Sequence, residues 1–344
     1  MLNLNDKRHK QQTKYLRMKI FSFNSELTKV TGVQKVLLDI HRAVKEEYDA
    51  KIVGTVPYEL VDPNHKIARK EYVRFKNPFM FRKSIVIVHE RKFLLMFWLL
   101  NHVLFQRIKL VYIHHNVFYS HRRLSVMPKT VIAISDEGVE NLKTYFRVPA
   151  RNIHKIYNCV IDVHPKPRTY RSLDTITLLY PARINKVKRQ IEVYRHLKDE
   201  LDKRIRIVFV GEGPYLSDLR QEIDGDERFV SLGFRSDVIE LLQQCDYMML
   251  FSSQEGLPIT LIEAAMCGTP IVCNNVGGNC EIAIDGKNAF VVNDWDELIH
   301  QLNSLFGVSS ETWLHMSKSS RKIFEERFTF EKLKSNYLAL LNTL

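Results

Sequence analysis

Short runs of apolar, often β-branched residues alternate along the chain with stretches in which apolar positions recur every three or four residues. MKIFSF at 18–23, KIVGTV at 51–56, SIVIVHE at 84–90, KLVYIHH at 109–115 and TVIAIS at 130–135 read as strands, and VQKVLLDIHRAVKEEY at 33–48 as a helix. The alternation restarts with TITLLYPA at 175–182, the helical KRQIEVYRHLKDEL, and RIVFVG at 206–211. RFVSLG at 228–233, DYMMLFSS at 246–253, TPIVCN at 269–274 and AFVV at 289–292 add further strands. Apolar strands separated by helices mark parallel sheets covered on both faces, so the pattern predicts an α/β chain of two doubly wound, Rossmann-like domains. Such sheets bind ligands beyond the C-terminal ends of their strands, which predicts a cleft between the two.

HPKPRTYRS at 164–172 carries two prolines and no apolar period, and reads as the interdomain linker. The predicted organisation is a first domain at 1–165, a second at 166–327, and a helical stretch at 328–344 that docks back on the body. Asp294, with Glu297 three positions later, reads as a capping-box helix start. The longest apolar run, at 93–105, is bracketed by Arg91-Lys92 and by Arg107 and Lys109. As a helix it would reach ~20 Å, short of the ~30 Å hydrocarbon core of a bilayer. It reads as a buried helix, with a lipid-touching face as the alternative.

The length, 344 residues, accommodates two domains with cores of their own. The net charge of +12 is unevenly distributed. Residues 1–160 hold 29 Lys+Arg against 13 Asp+Glu, and the remainder 22 against 26. All the basicity therefore lies in the first half, which implies an anionic partner: a phosphorylated substrate, an anionic membrane or nucleic acid. The basic pairs Arg82-Lys83, Arg91-Lys92 and Arg122-Arg123 come with no nucleic-acid motif, so no nucleic-acid partner is expected. The first 17 residues are polar and cationic with no apolar segment after them, so no secretory signal is read and a cytoplasmic protein is expected. Five cysteines without CxxC spacing read as buried reduced thiols.

Candidate chemistry is densest at residues 252–292. Glu255 sits in a turn after a strand, Pro258 suits a first helical position, and the following helix is read to Gly268. The unpaired amides of that helix N-terminus would face an anion such as a diphosphate, placed at Gly256, Leu257, Pro258 and Ile259. Glu263, more than a turn deeper, could accept two ribose hydroxyls.

This stretch, EGLPITLIE followed by AAMCGTPIV and VGGNCEIAIDGKNAFVV, resembles the E-x7-E signature of the retaining, nucleotide-sugar-dependent glycosyltransferases of the GT-B fold, the glycosyl transferases group 1. YPARINKVKRQ is similar to that family's strand-end Arg and Lys, which implies Arg183 and Lys188 at the donor diphosphate; Arg189 stands where the family usually has Gly. VFVGEGP resembles its VGxGP loop, with Gly211 and Gly213, and VSLGFRSDV the segment whose backbone near Phe234 and Arg235 faces the base. In the first half, TKVTGVQKVLLDI is similar to the Gly-rich loop, with Gly32 close to donor and acceptor. YIHHNVFY resembles the strand-end histidine motif, implying His115 beside the donor sugar, with His114 as the fallback. Ser135 and Asn158 mark the end of the first domain, Cys159 replacing the common Gly. His89 is a cleft residue with no assigned role.

The resemblance implies transfer from a nucleotide sugar, UDP-linked first and GDP-linked second, to a glycan or lipid-linked acceptor in bacterial surface polysaccharide assembly. Glu255, His115, Arg183 and Lys188 would be catalytic, and the enzyme would need no cofactor and no metal. The Asp-x-Asp pairs at 224–226 and 294–296 do not end strands, and Leu216 stands where a dinucleotide fingerprint requires its third glycine. The basic first domain suggests contact with an anionic inner membrane face. A nucleotide-sugar epimerase and a non-enzymatic anion-binding protein are the alternatives.

Overall fold

The computed structural model describes residues 18–122, 125–170 and 174–344. The cationic residues 1–17, Arg123 of the third basic pair, and Arg171 and Ser172 of the expected linker lie outside them. The chain divides into two compact units, residues 1–159 with 330–344, and residues 160–329.

The first unit carries a parallel sheet of seven strands among the described residues, ordered β3-β2-β1-β4-β5-β6-β7. These are β1 (Lys19–Phe23), β2 (Asp49–Gly54), β3 (Tyr72–Arg74), β4 (Ile85–Val88), β5 (Lys109–His114), β6 (Thr130–Ala133) and β7 (Ile153–Lys155). The three-residue edge strands β3 and β7 were not read from the pattern, because YVR and IHK are too short and too polar to show a period. Strand order reverses between β1 and β4, and the crevice beyond the C-terminal ends at such a reversal is where open α/β sheets bind ligands.

The second unit has six parallel strands, ordered β10-β9-β8-β11-β12-β13. They are β8 (Ile176–Pro181), β9 (Ile205–Val210), β10 (Phe229–Ser231), β11 (Tyr247–Leu250), β12 (Ile271–Asn274) and β13 (Ala289–Val292). Here the reversal lies between β8 and β11. Both sheets are buried on two faces, as Ile85, Val86, Ile87 and Val88 of β4 and Tyr247, Met248, Met249 and Leu250 of β11 show.

The apolar run is divided between the two readings made of it. Helix Leu94–His102 buries Leu94, Phe97 and Leu100, with Phe97 edge-on to Phe23 and Phe81. Its other face, and the turn after it, leave Leu95, Trp98, Leu99, Val103, Leu104 and Phe105 exposed. Among the described residues no helix is long and apolar enough to cross a membrane.

The expected linker is anchored rather than loose. The Arg168 guanidinium donates to the carbonyls of Leu242 and Cys245 and lies 5.1 Å from the Trp313 ring, inside the second unit. Asp162 pairs with Arg321 nearby. The crossing thus falls at 159/160, before the prolines. After helix Ser310–Arg327 the chain returns to the first unit, where helix Phe330–Leu341 packs on helix Gly32–Val44 and Tyr48 donates to Asn342 at 2.8 Å.

Candidate functional site

The second unit brings Lys188 and Glu255 together at its strand-order reversal, and the first carries His89 and His115 after the adjacent strands β4 and β5. In the second, the segment after β8 makes a tight turn in which Asn185 accepts from the Lys188 amide at 3.0 Å and Gln190 donates to the Arg183 carbonyl at 3.1 Å. Arg189 then adopts the left-handed conformation, φ 54°, before helix Gln190–Leu197. That is the backbone glycine accepts most readily, and it explains why glycine suits this position. The turn also delays the helix, which was expected from 188.

The opposing wall follows β11. Phe251 N–H donates to the Tyr180 hydroxyl at 3.1 Å, and the same hydroxyl donates to the Lys188 carbonyl, so one buried phenol ties the two segments together. Burial pushes that phenol's pKa up, which keeps it a donor. Ser253 N–H donates to the Val187 carbonyl at 2.8 Å. The Lys188 ammonium in turn donates to the carboxylate of Glu255, which is 7% exposed.

Behind Glu255 lies the Gly277-Gly278 turn. Gly278 N–H donates to the Gly256 carbonyl at 2.8 Å, and a Cβ on Gly277, at φ 61°, would sit 2.3 Å from the Glu255 carbonyl oxygen. Asn274 brackets Ser252, accepting from its amide at 3.1 Å and donating to its carbonyl at 2.7 Å. Tyr180, Asn274 and the role of the two glycines were not read from the sequence. The Gly-Gly pair after a strand was the available signal; nothing marked Tyr180.

Helix Ile259–Met266 opens beside Glu255, with Pro258 as its N-cap instead of its first helical residue; it is C-capped by Cys267, and Gly268, φ 65°, turns the chain away. Gly256, Leu257 and Pro258 are buried, Ile259 and Glu263 partly so. Arg183 is exposed at the end of the β8 turn. Gly211 and Gly213 press that turn closely: a Cβ on either would stand 2.1 and 2.0 Å from the carbonyl oxygens of Ala182 and Ile184. Phe234 is 67% exposed after β10, and Arg235 is paired with Asp237.

One residue of each Asp-x-Asp pair has another task. Asp226 pairs with Arg228 at 2.8 Å, and Asp294 caps its helix by accepting from Glu297 N–H at 2.9 Å. The described residues contain no cluster of His, Cys, Asp and Glu arranged to hold a metal ion. Cys280, in the short helix Asn279–Ile282 after the Gly277-Gly278 turn, is exposed, unlike Cys159, Cys245, Cys267 and Cys273.

In the first unit, His89 follows β4 and His115 follows β5, and both are buried. His114 is not available to a ligand through Nε2, which lies 2.9 Å from Asn141 Oδ1. Burial holds His114 down to about 4, partly countered by its hydrogen bond to Asn141, and His115 down to about 3, and it lowers His89 well below the usual value, so all three rings are neutral near pH 7. After β1, Ser25 donates through amide and hydroxyl to the Glu90 carboxylate, which shapes the loop leading to Gly32, the exposed first residue of its helix.

A family model described as "Glycosyl transferases group 1" matches residues 166–322. Residues 166–322 belong to the glycosyl transferases group 1 family. The second unit's candidate residues lie within this segment, and the first unit's lie outside it. The two Rossmann-like units are those of the GT-B fold. The chain is similar to N-acetyl-alpha-D-glucosaminyl L-malate synthase of Bacillus anthracis, 29% identical over 46% of this chain and 43% of that protein. It is 31% identical to N,N'-diacetylbacillosaminyl-diphospho-undecaprenol alpha-1,3-N-acetylgalactosaminyltransferase of Campylobacter jejuni, over 51% of this chain and 45% of that one. The matches thus span less than half the length of these relatives. Among solved structures, Anabaena Alr3699/HepE in complex with UDP has the same fold, with TM-score 0.81 and 18% identity over 95% of this chain and all of that one.

Proposed function

We propose that the chain is a retaining, nucleotide-sugar-dependent glycosyltransferase that builds a bacterial surface polysaccharide on a glycan or lipid-linked acceptor. The observation that carries the reading is the second unit's β8–β11 reversal, where Lys188, Glu255 and the start of helix Ile259–Met266 meet. A cation, a carboxylate and a helix N-terminus at one point suit a sugar diphosphate, whose phosphates gain charge as the sugar departs.

In this reading Arg183, Lys188 and the amides around Gly256, Leu257 and Ile259 hold the diphosphate, with Pro258 shaping the turn. Glu263 takes the ribose, Gly213 and Phe234 border the base, and Glu255 holds sugar hydroxyls while keeping Lys188 aimed. Charge neutralisation comes from side chains and a helix end, so the reaction needs no metal. His115 is assigned a contact to the sugar and Gly32 one to donor and acceptor, as the resemblance to the family's motifs implies. The acceptor hydroxyl attacks on the face that the diphosphate leaves, which retains the anomeric configuration. A UDP-sugar is the donor we favour, because the structural relative binds UDP.

The acceptor class is favoured by the Campylobacter relative, whose name gives a diphospho-undecaprenol substrate. Support for peripheral contact with an anionic inner membrane face comes from the exposed Val103, Leu104 and Phe105 beside exposed Arg82, Lys83 and Arg107. Incubation with a panel of UDP- and GDP-sugars and lipid-linked or soluble acceptors, read by mass spectrometry, tests the reading. Transfer from one donor with an α-configured product is expected from an α-linked donor. Epimerised nucleotide sugar without transfer, or no turnover of any donor, would overturn it.

A further inference from the structure

The transferase reading leaves His89 without a task, yet its ring is held as closely as any in the first unit. Its Nδ1 lies 3.1 Å from Nε2 of His115, and the two rings stack with centroids 5.3 Å apart and planes at 21°. His89 is 4% exposed and His115 7%. The backbone amide of His89 donates to the Phe23 carbonyl at 3.3 Å, so the ring is carried on an extension of the β1–β4 ladder.

Two neutral imidazoles share this bond, and each has one N–H and one acceptor nitrogen. Either His89 Nδ1–H donates to His115 Nε2, or His115 Nε2–H donates to His89 Nδ1. The second arrangement puts the remaining proton of His89 on Nε2, an enclosed nitrogen with no hydrogen-bond partner. Folded proteins rarely bury an orphaned N–H and tolerate an unsatisfied acceptor more often, so the first arrangement is preferred. It leaves Nδ1 as the one ring nitrogen of His115 free to meet a ligand, and that nitrogen carries the proton. We propose that His89 is a positioning residue that locks His115 as the Nδ1–H tautomer, making it a standing hydrogen-bond donor to an oxygen of the bound sugar nucleotide. The ligand named here rests on the transferase reading; the tautomer lock does not.

The test uses the full chain with 15N-labelled histidine and long-range 1H–15N correlation spectra at neutral pH, with His115→Gln assigning the His115 signals. A protonated Nδ1 and an unprotonated Nε2 are expected on His115. His89→Asn, whose amide NH2 can stand near Nδ1, should keep that pattern and turnover within about threefold, whereas His89→Leu should lose the pattern and at least about tenfold in kcat, as for one lost hydrogen bond in the transition state. A proton on His115 Nε2 in the unaltered protein, or an unchanged pattern in a folded His89→Leu, would overturn the lock. Should His89→Leu not fold, the unaltered protein's spectrum decides. The expected tautomer in a protein that turns over no donor would uphold the lock and reject the transferase reading.

Discussion

Lys188 donates to Glu255 across a separation of 67 residues, joining the turn after β8 to the turn after β11 at the point where strand order reverses. Arg183, at the other end of the same turn, is exposed. Truncating one member of a buried ion pair strands its partner and costs up to about 3–5 kcal/mol. Lys188→Ala is therefore expected to lower both turnover, by roughly a hundredfold, and the urea midpoint. Arg183→Ala should lower turnover by a similar factor and leave the midpoint unchanged. Equal midpoints for the two variants would contradict the structural part of this assignment, and unchanged turnover in both the diphosphate part.

Gly277 backs the Glu255 turn at a distance that no side chain tolerates, since a Cβ would stand 2.3 Å from backbone oxygen at φ 61°. Gly277→Ala should push Glu255 out of reach of Lys188. The expected outcome is a loss of turnover comparable to Glu255→Ala, about a hundredfold, in a protein that folds with reduced stability. Full activity in Gly277→Ala would show that Glu255 does not depend on its backing.

Arg189 occupies a left-handed backbone at φ 54°, where a non-glycine residue costs roughly 1 kcal/mol. Its guanidinium is 5.8 Å from the Trp295 ring and 3.9 Å from Glu192, weak contacts that offset only part of that cost. Arg189→Gly is expected to leave the urea midpoint equal or slightly raised, with activity retained, and Arg189→Val to lower it. Denaturation of both variants checks the sign.

Acid should destabilise the first unit through its buried histidines. His114 at about 4 and His115 at about 3 both lie below the ordinary value of about 6.5 that the unfolded chain returns to. The unfolded chain therefore takes up protons that the folded one refuses. Their stabilising contribution is complete above about pH 6.5 and declines as pH falls towards the folded values, by up to about 1.4 kcal/mol per pH unit for each ring. Urea midpoints across this range should fall towards acid, and His115→Gln should flatten the slope. A slope unaffected by that substitution would place the acid sensitivity elsewhere.

Membrane contact should depend on the turn after helix Leu94–His102. Phe105 is 76% exposed, and Lys83 N–H donates to the Gln106 carbonyl, which sets Arg82 and Lys83 beside it. Arg91, a basic flank in the sequence, is instead packed over Phe118 at 4.5 Å and donates to the Ser120 carbonyl. Sedimentation with phosphatidylglycerol vesicles at low salt, and hardly with neutral ones, is expected. Changing Arg82, Lys83 and Arg107 to Glu should abolish the salt-sensitive part, and Phe105→Asp the salt-resistant remainder. Binding unaffected by either set would leave this patch without a membrane role.

The sequence by itself determined the two parallel sheets and the strand-end positions of Arg183, Lys188, Glu255 and His115, because apolar period and turn residues are local properties of a few neighbouring positions. Cap geometry at Asp294 was legible for the same reason. Only the tertiary structure decided which of these residues meet. Lys188 reaches Glu255, and His89 reaches His115, because separate strands are set side by side in the sheet order β8-β11 and β4-β5. It also decided that Arg168 of an apparent linker is held by the Leu242 and Cys245 carbonyls. The apolar run has one face buried on Phe23 and one exposed for a similar reason. The composition of a segment gives its polarity, but burial depends on what the fold brings against it.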